Sequence, residues 1–176
     1  AKNWLLNFLR QYRGALLVIS HDLELLDEAI TRVLHLDRPG EDDLGNLVEY
    51  NVAGIEIENS RDALVEANIA THNTGGLLVF DLPGLPVMGG GNVILRDNVV
   101  KDNDTPNFAP KGNIVAGVLR GTGVMVMAND SIDIVENVLI DNPTAHVMVV
   151  AYPNAFADKN YNPLPRGVWI VANTFV

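Results

Sequence analysis

Apolar and polar positions follow one repeating scheme along most of the chain, seen with least interruption in Gly123–Asn142, GVMVMANDSIDIVENVLIDN. GIEIEN (54–59), GLLVFD (76–81), GVMVMA (123–128) and HVMVVA (146–151) superimpose on its first half. The second and fourth positions are apolar in every copy: Ile55/Ile57, Leu77/Val79, Val124/Val126 and Val147/Val149. A period of two with one apolar set predicts a strand that turns that set to a core. The third and fifth positions are mixed (Glu56/Glu58, Leu78/Phe80, Met125/Met127, Met148/Val150) and are expected to face outward. The second half of the unit reads ALVEAN, VILRDN, IDIVEN and VWIVAN, ending in Asn68, Asn98, Asn137 and Asn173. Three copies carry another Asn five residues later, at Asn73, Asn103 and Asn142.

The spacing turns this pattern into an architecture. Gly54 to Asn68 is 14 residues and Asn68 to Gly76 is 8, so the uninterrupted repeat is 22. A fixed period of that length, built of short β segments, is the mark of a solenoid. The expected fold class is therefore mainly β, a parallel β-helix of about four coils over residues 51–176, preceded by a small α/β segment. Stacked coils bring equivalent residues within about 4.8 Å of one another. The terminal Asn residues are then expected to form a buried amide ladder and to take the left-handed conformation that turns the chain between sheets. Departures from the period locate insertions of 8 residues within 82–92, 17 around 104–120 and 13 within 152–167. All three flank the first strand of a coil. Its outward face is thus the expected place for a binding surface.

Residues 1–50 follow a different scheme. Trp4, Leu5, Phe8, Leu9 and Tyr12 share one helical face, and Gly14 ends that helix. Ala15–Ile19 reads as a buried strand, Leu23, Leu26 and Ala29 as the apolar side of a second helix, and 31–36 and 46–50 as strands. Composition changes with the pattern: residues 1–50 hold 3 Asn and residues 51–176 hold 16, as a ladder would require.

Charge and cysteine narrow the partners. A net charge of −10 argues against nucleic acid and anionic membranes. No apolar run reaches the roughly 18–20 residues that a spanning helix needs. With no cysteine, disulfides, thiolate chemistry and Cys-based zinc sites are excluded.

Two resemblances follow from quoted segments. Residues 3–38, NWLLNFLRQYRGALLVISHDLELLDEAITRVLHLDR, continuing through GNLVEY, resemble the C-terminal part of an ABC-type ATPase domain of the soluble F-type subfamily. That resemblance implies a cytoplasmic family and makes His21 of Ser20-His21-Asp22 the switch histidine. The Walker A pattern G-x-x-x-x-G-K-[ST] is missing, because Gly89-Gly90-Gly91 is followed by Asn92 and not by Lys. His21 is therefore expected to be the relic of a nucleotide site, and ATP is not expected as a ligand. VAGIEIENS, GGLLVFDLPGLPV and NDTPNFAPKGNIVAGV resemble bacterial right-handed parallel β-helix repeat proteins. This second resemblance implies a right-handed coil, an exported (periplasmic or extracellular) parent and association with a carbohydrate or similar polymer. The change of family near Tyr50/Asn51 reads as a chimeric or truncated chain, with self-association through open coil ends as a corollary.

Candidate chemistry lies in the insertions. Asp81, Phe108, Lys111, Tyr152, Asp158 and Tyr161 are the expected ligand-binding set, as loop aromatics for stacking on sugar rings and charged groups for a shallow polar groove. The same aromatics would equally serve to pack the loops onto the sheet. Glu56, Glu58 and Asp81 are the candidate calcium ligands, and loop carboxylates of this kind would serve a polysaccharide lyase or hydrolase. A solvated charged face gives the same pattern. No nucleophile motif is present, so no catalytic residue is assigned.

Overall fold

A computed structural model of the chain describes residues 45–176. The helices and strands expected before residue 45, and His21 with them, lie outside the described residues.

Among the described residues thirteen short strands build three parallel sheets. The first sheet contains β2 (Ala53–Glu58), β5 (Gly75–Phe80), β8 (Thr122–Met127) and β11 (Ala145–Val150). The second contains β3 (Arg61–Glu66), β6 (Gly91–Arg96), β9 (Asp130–Val135) and β12 (Arg166–Val171). The third contains β1 (Leu47–Glu49), β4 (Ile69–Thr71), β7 (Val99–Lys101), β10 (Val138–Ile140) and β13 (Thr174–Phe175). Each coil visits the sheets in that order, and each strand pairs in register with its copy one coil away. This is the expected parallel β-helix. The strand expected at 46–50 is present as β1 and pairs with β4, so the third sheet starts one strand before the first complete coil.

The inward alternation supplies the core. Leu77, Val79, Val93, Leu95 and Val100 fill one layer; Val124, Val126, Ile132, Ile134 and Leu139 fill the next. Parallel strands buried from both neighbouring coils favour β-branched residues, which pack well on a pleated surface.

Both ladders are present. In the first, the amide nitrogens of Asn46, Asn68, Asn98 and Asn137 each donate to the next coil's amide oxygen, ending at Asn173, with N···O distances of 2.9–3.0 Å. In the second, Asn73 donates to Asn103 at 3.1 Å and Asn103 to Asn142 at 2.9 Å. The same oxygens also accept from backbone N–H groups, as Asn98 Oδ1 does from Asn68 N at 3.0 Å. One expectation is corrected here. The left-handed residue is not the Asn but the one before it: Ala67, Asp97, Glu136 and Ala172 in the first ladder, and His72, Asp102 and Asp141 in the second, have φ of 47° to 57°. The Asn backbone must stay in the inter-coil bonding line, so the preceding residue makes the turn. A non-glycine residue held there costs about 1–2 kcal/mol, which the ladder bonds offset.

Glycine is required beside the second ladder. A Cβ on Gly76 would lie 2.7 Å from the Gly123 carbonyl oxygen and 2.9 Å from Asn103 Nδ2. Gly54 and Gly123 meet the same two obstacles in their own coils. His146 occupies this position in the last described coil, where its Nδ1 lies 3.3 Å from Asn142 Nδ2.

The insertions do not frame an open face on the first sheet; they cover it. Leu78, Phe80, Met125 and Met127, expected to face outward, do point away from the central core but are buried beneath Val118 and Tyr161. Four large apolar side chains on one outer face would leave an extensive wet patch, and the inserted segments carry the apolar groups that remove it.

Candidate functional site

Two of the three insertions meet at the corner between the first and second sheets. The loop after β5 is held by two side chains that occupy equivalent corners of successive coils. Asn59 accepts from Leu82 N at 2.7 Å and donates to the carbonyls of Leu82 and Val87. The buried Asp81 carboxylate accepts from Gly89 N and Gly90 N, both at 3.0 Å. Its backbone carbonyl accepts from the Tyr161 hydroxyl at 2.6 Å, which clasps this loop to the one after β11.

The second loop is packed by an aromatic triangle. Tyr152, Phe156 and Tyr161 meet edge to face, with centroid separations of 5.0–6.4 Å. That is the geometry aromatic quadrupoles prefer. Tyr152 N also bonds the Pro163 carbonyl at 2.9 Å and closes the loop at its base. Burial pushes the Tyr161 hydroxyl well above the ordinary tyrosine range, assisted by the nearby Asp81 charge.

Between the two clasped loops lies a cleft of about 240 Å³. Its polar lining comes from Arg61, Asp130, Asn160, Asn162 and Arg166, with Gly89 and Gly90 on the wall that the first loop provides. Three of these residues stand in one register row across the second sheet: Arg61, then Gly91, Asp130 and Arg166. Gly91 contributes no side chain, so the row of side chains is interrupted in that coil. Arg61 Nη1 donates to the Gly89 carbonyl at 2.6 Å, and Arg166 Nη2 to Asp130 Oδ2 at 2.8 Å. Both guanidiniums keep further donors in water, in a planar array suited to hydroxyl and carboxylate oxygens.

The expected ligand-binding set divides on this geometry. Asp81 and Tyr161 line the cleft, but both are buried and engaged in holding the loops. Tyr152 packs on Tyr161, and Asp158 accepts from Asn160 N at 2.8 Å, shaping the turn that presents Asn160. Phe108 and Lys111 belong to the third insertion, at the opposite end of the first sheet, and do not join the cleft. The polar residues that line it from outside that set, Arg61, Asn160, Asn162 and Arg166, escape the sequence pattern, and Asn162 spends part of its amide on the Leu164 backbone. Only the shared place of Arg61, Asp130 and Arg166 within their coils could have revealed part of it.

The candidate calcium carboxylates are engaged with protein partners. Glu56 and Glu58 lie on the outer face of the first sheet beside Leu78 and Phe80. Partial desolvation, with a hydrogen bond and charge repulsion from Glu58, raises the Glu56 carboxyl to about 7. Asp81 gives both oxygens to its own loop. Among the described residues no group of three or more His, Asp and Glu side chains is arranged to hold a metal ion. No described helix is long and apolar enough to cross a membrane.

A second, wider cleft of about 460 Å³ lies near the corner between the third and first sheets. Asp102, Asp104, Asp141, Arg120 and His146 line it. Asp104 approaches His72 Nδ1 at 3.3 Å and Arg120 Nη2 at 4.0 Å, and the Arg120 Nε donates to the Asp104 carbonyl. No clasped loop pair shapes this cleft, and its Asp104 is already engaged by His72 and Arg120.

Residues 44–173 match the family model described as right handed beta helix region. Comparison with curated proteins and with solved structures gives no match.

Proposed function

Because the chain belongs to the right-handed β-helix family, we propose that it serves as a rigid scaffold that binds a carbohydrate polymer, and we assign it no catalytic step. The cleft between the loops after β5 and β11 carries this reading. It is small, concave and lined by two guanidiniums, two side-chain amides and two carboxylates, Asp81 and Asp130, donors and acceptors that suit a hydroxyl-rich ligand. It stands on strands whose positions the Asn ladders fix, so little ordering is required on binding.

The test is retention of the full chain by soluble glycans in affinity electrophoresis, with cellulose, chitin, pectin and alginate oligomers as probes. Binding without turnover, reduced at least tenfold in the double variant R61A/R166A, is the expected result. Equal retention of wild type and double variant would remove the cleft from the proposal. A nucleotide-binding role would rest on residues 1–50 and His21 alone. Without a phosphate cradle, titration with ATP and Mg²⁺ is expected to give no binding signal.

A further inference from the structure

The outer face of the second sheet differs from that of the first. Among the described residues no insertion crosses it, since two of the insertions leave at the corner before it and the third lies beyond the third sheet. Its side chains form register rows that run across all four coils. One row is Leu64, Ile94, Asp133 and Trp169; the next is Glu66, Arg96, Val135 and Val171. Trp169 is 65% exposed and Leu64 54% exposed; Val65 beside Leu64 is buried, whereas Val168 and Ile170 beside Trp169 are themselves partly open. A large aromatic side chain held on a strand, in solvent, with no partner ring among the described residues is an unusual use of apolar area.

The four described strands, about 4.8 Å apart and six residues long at about 3.3 Å each, present roughly 19 by 20 Å of this face. The face is also continuous with the cleft. Arg166 lines the cleft and heads β12, and Trp169 follows on the same strand about 10 Å further along. Asp133, in register beside Trp169 on the neighbouring strand, supplies a carboxylate acceptor.

We propose that the outer face of the second sheet extends the binding surface. An extended pyranose polymer seated in the cleft passes Arg166 and lays the C–H face of a later ring on the Trp169 indole, with Asp133 accepting from a ring hydroxyl. The apolar face of a pyranose and the electron-rich face of the indole are complementary in shape and in charge distribution. This extension rests on the carbohydrate reading of the cleft.

Chain length separates the two. The probes are di- and hexasaccharides of the cellulose, chitin and pectin series, and binding is followed by calorimetry on the full chain. The sequence holds two tryptophans, so the W4F variant leaves Trp169 as the only indole emitter. A hexasaccharide is expected to shift the emission of W4F, and a disaccharide to leave it unchanged. W169A is expected to lose about tenfold in hexasaccharide affinity with disaccharide affinity retained, whereas R166A weakens both. As an exposed side chain, Trp169 can be truncated with little effect on folding, and equal thermal midpoints for W169A and wild type check this. Hexasaccharide binding that depends on Arg166 but not on Trp169 would leave the cleft standing and overturn the extension. Absence of binding by every probe would overturn both. A dimer in sedimentation that W169A abolishes would assign the face to a second copy of the chain instead.

Discussion

Replacing Asn98 by alanine is the sharpest perturbation of this fold. Asn98 has no exposed surface and makes four side-chain hydrogen bonds. Its oxygen accepts from Asn68 N and Asn68 Nδ2, both at 3.0 Å. Its nitrogen donates to the Val65 carbonyl and to Asn137 Oδ1, both at 2.9 Å. Truncation does not affect these partners equally. Asn68 Nδ2 keeps the Glu66 carbonyl, and Asn137 Oδ1 keeps Asn98 N. The Asn68 backbone N–H loses its ladder acceptor, and the Val65 carbonyl loses a side-chain donor. A buried polar group left without a partner costs about 1–3 kcal/mol. Two such groups plus a small cavity give a loss of about 3–5 kcal/mol. For a domain of this size that corresponds to a fall of about 6–20 °C in thermal midpoint. Urea unfolding followed by circular dichroism measures the loss, and an unchanged m-value shows that it is a loss of stability alone. Asn173 is the internal control. It holds the equivalent place in the last described coil, but its side chain is partly exposed, so water can replace some of the lost bonds. N173A is expected to cost about 1 kcal/mol. A loss below 1 kcal/mol for N98A, or equal losses for the two variants, would refute the view that buried ladder amides are the strongest single polar contribution in the coil.

Three further predictions rest on independent features. Gly76→Ala drives a Cβ against the Gly123 carbonyl, a backbone atom that cannot move alone; a loss of about 1–3 kcal/mol in the same unfolding assay is expected. Tyr161→Phe removes the 2.6 Å bond to the Asp81 carbonyl; about 1 kcal/mol of stability is lost, with faster amide exchange confined to 82–90 and 151–165 by mass spectrometry. Glu56 has its carboxyl raised to about 7 from 4.5, so the fold favours its neutral form. The stabilisation is complete below the unfolded value of 4.5 and disappears as pH rises through 7. Glu56→Gln should therefore raise stability at pH 8 by about 1 kcal/mol or less, because the carboxyl is only partly withdrawn from solvent and is screened by it, and change it little at pH 4. A gain confined to acid pH would reverse the assignment.

The alternation of Val124, Val126, Ile132 and Ile134, with Asn137 and Asn142 at fixed offsets, was enough to specify coil, core and ladder from sequence alone. Hydrophobic burial needs the period of two, and a buried amide needs a copy of itself at the next level. The place of each insertion followed from the same ruler, since a chain must leave and rejoin a fixed lattice. Tertiary structure alone decided what the insertions do. Leu78, Phe80, Met125 and Met127 read as outward because alternation distinguishes the two faces of a strand but not whether a distant loop covers one of them. Asp81 read as a ligand because its charge is visible in sequence, whereas its bonds to Gly89 and Gly90 depend on how the loop returns. The left-handed turn likewise belongs to Ala67, Asp97, Glu136 and Ala172. These residues have no common chemistry, and only their position before an inward-turned Asn fixes their conformation.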